Sequence, residues 1–143
     1  MRLFLDANVL FTAAYSPEGV SRALFDLAEA GCCILCTSAF AQEEARRNLS
    51  LKASAKLPDL ERLVHRVAIV PEAGPDTVAR ARTLPLPLKD APIMAAAVAC
   101  GATLLVTGDR LHFGHLFGNT PEGVLVQSPR EALDLLLNDR TGR

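Results

Sequence analysis

Five short apolar runs recur along the chain, Arg2–Leu5, Cys33–Thr37, Arg66–Val70, Thr103–Thr107 and Val124–Gln127, and most successive pairs are separated by a helical pattern. The helical patterns cover Pro17–Ala30, Ser38–Leu51, Leu57–Val64, Pro75–Thr83, Asp90–Cys100 and Pro129–Asn138. Runs this short and this apolar fit strands buried on both faces. Strands that alternate with helices are joined by crossovers, so the pattern predicts an α/β fold with a parallel sheet of about five strands, covered on both sides. Gly31 and Gly101 sit just past two of the helical patterns, where a left-handed cap is wanted. The Pro-rich "TLPLPLKDAP" reads as a loop that fixes the start of the next helix.

A chain of 143 residues, half of it hydrophobic, has material for one core, so a single domain over residues 1–143 is expected. Charged residues make up 22%, ordinary for a globular protein and too few for a disordered one. The net charge of −1 offers no global field for nucleic acid, so binding of that kind would need a local basic patch. No apolar run approaches the ~18 residues of a membrane span. Strand-like sequence starts at once, without the pattern of a signal peptide, which makes the cytoplasm the expected compartment. Cys33 and Cys36 form a C-x-x-C, but in a strand residues three apart face opposite ways, and no second C-x-x-C follows. Buried reduced thiols are expected there.

Two of the apolar runs end on a carboxylate. "RLFLDANVLF" stops at Asp6, and "LLVTGD" stops at Asp109. In open parallel sheets ligands bind beyond the carboxyl ends of the strands, where the winding order reverses. If the first and fourth strands are neighbours at that point, both carboxylates enter one crevice. Their repulsion then calls for a cation, and hard oxygen donors suit Mg²⁺ or Mn²⁺.

Two further acids are candidates. Asp90 opens "DAPIMAAAVAC", where a capping role competes with a role in the crevice. In "TSAFAQEEARRNL", Thr37 or Ser38 can cap the helix, and a 100° wheel puts Phe40, Ala41, Ala45, Leu49 and Leu51 on the apolar arc. Glu44 falls inside that arc and needs a partner there, whereas Glu43 projects to solvent.

With these residues in place, the sequence resembles the PIN-domain ribonucleases, and among them the small bacterial VapC-type toxins of type II toxin–antitoxin pairs. The similarity lies in "LFLDANVLF", "SAFAQEEARRNL", "KDAPIMAAAVACGATLLVTGD" and "GVLVQSPREAL", which occur in family order over nearly the whole chain. The resemblance implies a three-layer α/β/α sandwich and an acidic pocket that holds Mg²⁺ or Mn²⁺ and hydrolyses RNA phosphodiesters. Carried over by position, its acids are Asp6, Glu44, Asp90 and Asp109, with Asn8 and Thr107 as polar companions. Some members have another acid just after the T-G-D; here "RLHF" follows, so a second tightly held ion lacks that ligand. A metal in such a pocket lowers the pKa of bound water and polarises the phosphodiester, and no Ser, Cys or His nucleophile is required. His112 and His115 in this stretch read as packing residues or as contacts to phosphate or metal. Arg22, Arg46, Arg47, Lys52, Lys89 and Arg110 are the cations available to an RNA substrate. Implied partners are RNA, a small antitoxin protein and a second copy of the chain.

Rival readings are weaker. A haloacid-dehalogenase-type phosphatase needs a second Asp two residues after the first, where this chain has Asn8. A receiver domain needs an early acid pair and a late Lys, neither of which is evident. A non-catalytic PIN module would have lost its acids, and all four positions are occupied. A housekeeping RNA-processing nuclease remains the alternative within the family.

Overall fold

The computed structural model describes residues 1–141. Five strands form one parallel sheet: β1 (Arg2–Leu5), β2 (Ile34–Ser38), β3 (Ala68–Val70), β4 (Leu104–Val106) and β5 (Leu125–Gln127). Their order is β3-β2-β1-β4-β5. In register, Leu3 of β1 lies between Leu35 of β2 and Leu104 of β4. Each strand falls on one of the five apolar runs, with ends displaced by two residues or fewer. β1 is central, and Leu3, Phe4 and Leu5 are all fully buried, which is why that run shows no polar alternation. β3 forms one edge and leaves Ile69 exposed.

Eight α-helices cover the sheet among the described residues: α1 (Ala7–Tyr15), α2 (Val20–Glu29), α3 (Ala39–Lys52), α4 (Leu57–Val64), α5 (Pro75–Ala81), α6 (Ala91–Ala99), α7 (Arg110–Phe113) and α8 (Pro129–Thr141). From β1 the chain steps outward through β2 to β3, then returns across the sheet to β4 and β5. Parallel crossovers are right-handed, so a reversal of direction moves the connecting helices to the opposite face. Accordingly α1 packs with α2, α3 and α4, α8 packs on α2, and α5 pairs with α6 in a separate group. The outcome is the α/β/α sandwich that the resemblance implies. No helix among the described residues is long and apolar enough to cross a membrane.

Periodicity does not announce α1. Its buried residues Ala7, Val9, Leu10, Ala13 and Ala14 share one broad face, and α2, α3 and α4 all pack on the helix. The other side carries only Asn8, Phe11, Thr12 and Tyr15, without a charge, so the stripe is faint in a helix this short and apolar. α7 is a single turn, too short for any period.

The wheel for α3 is corrected at its rim. Ala41, Ala45 and Leu49 are its buried residues, while Phe40 is 43% exposed and Leu51 is 80% exposed. Ser38 is the cap, its Oγ accepting from the Ala41 N–H at 3.2 Å. Gly31 and Gly101 have φ of +85° and +72°, the left-handed conformation expected after α2 and α6. Cys33 and Cys36 are free and buried, and Cys36 Sγ lies 3.8 Å from Cys100 Sγ rather than facing Cys33.

Candidate active site

The winding reverses between β1 and β4, and both strands deliver their acids there. Asp6 follows Leu5 and caps α1, and Asp109 follows the Thr107–Gly108 turn and caps α7. Glu44 comes from α3, the helix after β2, and Asp90 from the 3₁₀ turn Leu88–Asp90 that leads into α6. These four acids, with Ala7, Asn8, Asn48, Lys89 and Gly108, line one cleft of about 280 Å³. Glu43 points away from it, exposed and paired with Arg46 at 3.0 Å.

A compact hydrogen-bond network fixes Asp6. Its Oδ1 accepts from the Ala7 N–H at 2.7 Å, and its Oδ2 accepts from the Thr107 hydroxyl at 2.8 Å and from Asn8 Nδ2 at 3.2 Å. Thr107 is fully buried, and its oxygen in turn accepts from the Asp109 N–H at 3.1 Å and from Asn8 Nδ2 at 3.3 Å. One donor proton and two lone pairs are thereby all used. Asn8 Oδ1 takes the Gly108 N–H at 2.7 Å. A Cβ on residue 108 would lie 3.3 Å from that same Oδ1, which explains a glycine between Thr107 and Asp109. Asn8 thus ties the end of β1 to the end of β4. An aspartate there would turn its Nδ2 donor into a repelling oxygen.

Asp6 is buried, and burial pushes its carboxyl up to about 6. Hydrogen bonds from Thr107 and Ala7 oppose the rise, while the charges of Glu44 and Asp90 add to it.

Asp90 resolves its two readings. It stands at the N-cap of α6 but makes no side-chain capping hydrogen bond. Oδ1 lies 3.4 Å from Lys89 Nζ, and Oδ2 is buried without a hydrogen-bond partner. A buried carboxylate oxygen left without a hydrogen bond is costly. Together with three more carboxylates on the same cleft, it is the donor set a hard divalent cation satisfies. The residues present fit such an ion.

His112 belongs to the same neighbourhood. Its Nδ1 is 2.7 Å from Asp109 Oδ2 and 3.5 Å from Asp90 Oδ2, and its N–H donates to Asp109 Oδ1 at 3.0 Å. One atom from each of Asp90, Asp109 and His112 can be chosen so that all three lie within 4.8 Å of one another. His115 is turned elsewhere, its Nε2 against the Pro85 carbonyl at 2.6 Å. Asn48 carried no sequence signal of its own, but it stands one turn after Glu44, and a wheel drawn through Glu44 reaches it.

Of the six candidate cations, only Lys89 and Arg47 line the acidic cleft or the depression next to it. Arg22 donates to the Ala13 carbonyl, Arg46 is held by Glu61 and Glu43, Lys52 lies over the Phe11 ring, and Arg110 lies over Phe117. A larger cleft of about 350 Å³ opens at the amino ends of β2 and β3. Its charged residues, Glu29 and Arg66, pair with each other at 3.1 Å, so it offers no convergent acids.

The family model for the PIN domain matches residues 2–111, which contain all four acids and the hydrogen-bond network. The chain belongs to the PIN-domain family. Among solved structures, this PIN domain is similar to a chain of VapBC2 from Rickettsia felis bound to a DNA fragment from their promoter, at 18% identity and a TM-score of 0.70, covering 90% of this chain and 98% of that one. PAE2754 from Pyrobaculum aerophilum matches at 20% identity and TM-score 0.69, over 96% of this chain and 90% of that one. VapC20 from Mycobacterium tuberculosis, a sarcin–ricin-loop-cleaving toxin, matches at 12% identity and TM-score 0.51, over 72% of this chain and 86% of that one. At these identities the likeness establishes a shared fold. No curated protein sequence is significantly similar to the chain.

Proposed function

We propose that this PIN domain is a metal-dependent endoribonuclease and the toxin of a toxin–antitoxin pair. One observation carries the reading: four carboxylates meet at the switch point, and one of them, Asp90, keeps a buried oxygen with no hydrogen-bond partner. Family membership and the toxin-like fold agree with it.

Asp6, Glu44, Asp90 and Asp109 would hold Mg²⁺ or Mn²⁺, and such an ion activates water and polarises a phosphodiester. The chain's own residues prepare the site. Thr107 and Asn8 lock Asp6 and the Asp109 backbone into one unit. His112 orients the Asp109 carboxylate, and Lys89 offsets the charge of Asp90. Burial makes the charged form of Asp6 more costly, a cost that a bound cation would offset. The partners in this reading are RNA, a small antitoxin that silences the enzyme, and a second copy of the chain.

The deciding experiment incubates purified protein with a mixed RNA pool in Mg²⁺, in Mn²⁺ and in EDTA. Cleavage with either ion and none in chelator is expected, leaving 5′-phosphate ends. Full cleavage in EDTA would sink the reading. Expression in a bacterial host separates toxin from housekeeping nuclease: growth arrest relieved by Asp6→Asn is the toxin outcome.

A further inference from the structure

A second depression of about 210 Å³ adjoins the acidic cleft and shares Glu44, Lys89 and Asp90 with it. Its remaining walls are Phe40 and Arg47. Phe40, Glu44 and Arg47 stand at i, i+4 and i+7 of α3, so they form one stripe leading away from the acids. The stripe differs from its surroundings in two ways. Phe40 leaves a large apolar ring 43% exposed, and among the described residues neither another ring nor a cation lies against it. Arg47 is exposed and makes no ion pair or hydrogen bond among the described residues, whereas the adjacent Arg46 is held by two carboxylates. Lys89 stands on the other wall, its side chain 63% exposed.

An aromatic face flanked by the unengaged Arg47 and by Lys89, whose ammonium holds Asp90 at 3.4 Å and has donors to spare, matches a nucleotide, with a planar base for the ring and a phosphodiester for the cations. The acids next door make the cations necessary, because a cleft of carboxylates repels a polyanion. The volume lies below the ~300–1,000 Å³ of sites that enclose a drug-sized ligand, which suits one ring system and not several. A base inside a duplex has both faces covered by its neighbours, so only an unpaired one reaches Phe40.

We propose that this depression is a nucleotide subsite: the base next to the scissile bond stacks on Phe40, and its phosphate lies between Arg47 and Lys89. This deepens, and rests on, the ribonuclease reading above.

The test uses the full chain at saturating Mn²⁺ and a short single-stranded oligoribonucleotide with one cleavage site. Two further versions carry an abasic residue immediately 5′ or immediately 3′ of the scissile bond. Phe40→Ala is expected to raise KM about tenfold with kcat nearly unchanged, the size of one lost base–aromatic stack. Phe40→Trp retains the wild-type KM, and Phe40→Leu, which keeps an apolar side chain of similar size, behaves like Phe40→Ala. One of the two abasic substrates carries the same penalty with wild type and no further penalty with Phe40→Ala, because both changes delete one contact. Arg47→Ala weakens binding for every sequence and lowers the salt dependence by about one ion. Burying the same nucleotide in a hairpin stem slows cleavage by wild type. Equal KM for wild type and Phe40→Ala, penalties that simply add, or no abasic penalty on either side would overturn the subsite while leaving the ribonuclease standing. Absence of RNA cleavage by wild type overturns both.

Discussion

Glu43 and Glu44 are chemically alike and adjacent, yet the helix turns one toward Arg46 in solvent and the other into a cleft with three more acids. Glu44→Gln is therefore expected to lower RNA cleavage by ~10²-fold or more, about 2.7 kcal/mol on the barrier. Glu43→Gln should change cleavage little and stability by less than ~0.5 kcal/mol, measured by denaturant midpoint. Asp6 gives a second prediction at this scale. Its carboxyl titrates near 6 in the folded protein, against an ordinary 3.8. Between those values the native state binds more protons than the unfolded chain, so this group makes stability fall as pH rises from about 4 to 6. The penalty then persists above pH 6. In EDTA, the fall in stability between pH 4 and pH 7 should thus be smaller in Asp6→Asn than in wild type, by at most ~3 kcal/mol, on top of a pH-independent cost from the amide N–H₂ that meets donors which now bond the carboxylate. Melting curves across pH check it, and the same pH slope in both proteins would contradict the burial argument.

At the scale of elements, two helices carry the site by different means. α3 depends on its start, where Ser38 accepts the Ala41 N–H and ends β2 in the same step. Ser38→Ala should cost about 1 kcal/mol, with the loss visible in thermal unfolding. α6 depends on thinness. Ala95, Ala96 and Ala97 are fully buried, so the helix lies close to its neighbours and brings Asp90 up to the cleft. Ala96→Leu should cost ~1–3 kcal/mol through overpacking. It should also weaken metal binding, which a leucine on the outer, exposed face of α8 would not.

For the whole molecule, the sheet order converts a repulsive cluster into a site. Sequence positions 6, 44, 90 and 109 meet only because β4 returns to lie beside β1. Like charges held together this way destabilise the fold, and a bound cation would offset their repulsion. Mn²⁺ at ~100 times its dissociation constant should stabilise the protein by about 2.7 kcal/mol, an increase in Tm of very roughly 5–10 °C. Asp109→Asn should lose most of that increase, and calorimetric titration gives the same comparison without any substrate. An equal rise in both proteins would place the ion elsewhere.

The five strands were legible because each lies in a short, mostly apolar run; burial on both faces leaves that mark for β1, β2 and β4, whereas the exposed edge strand β3 shows itself through the β-branched Ile69 and Val70. The acids at the ends of β1 and β4 were legible for a related reason: polar residues that interrupt such runs stand where the sheet stops. Local periodicity likewise separated Glu44 from Glu43. It failed for α1, whose short outer face carries no charge to mark a stripe, and at Phe40, an apolar residue that the wheel put inside and the fold left at the surface. The engagement of Arg22, Arg46, Lys52 and Arg110 and the Asp90 oxygen left without a hydrogen bond carry no local signal either. Sequence alone determined which segments are strands and which acids stand at their ends, since burial and chain direction are written locally. Which side chains are free to meet a substrate was decided only by tertiary structure, because a partner can come from anywhere along the chain.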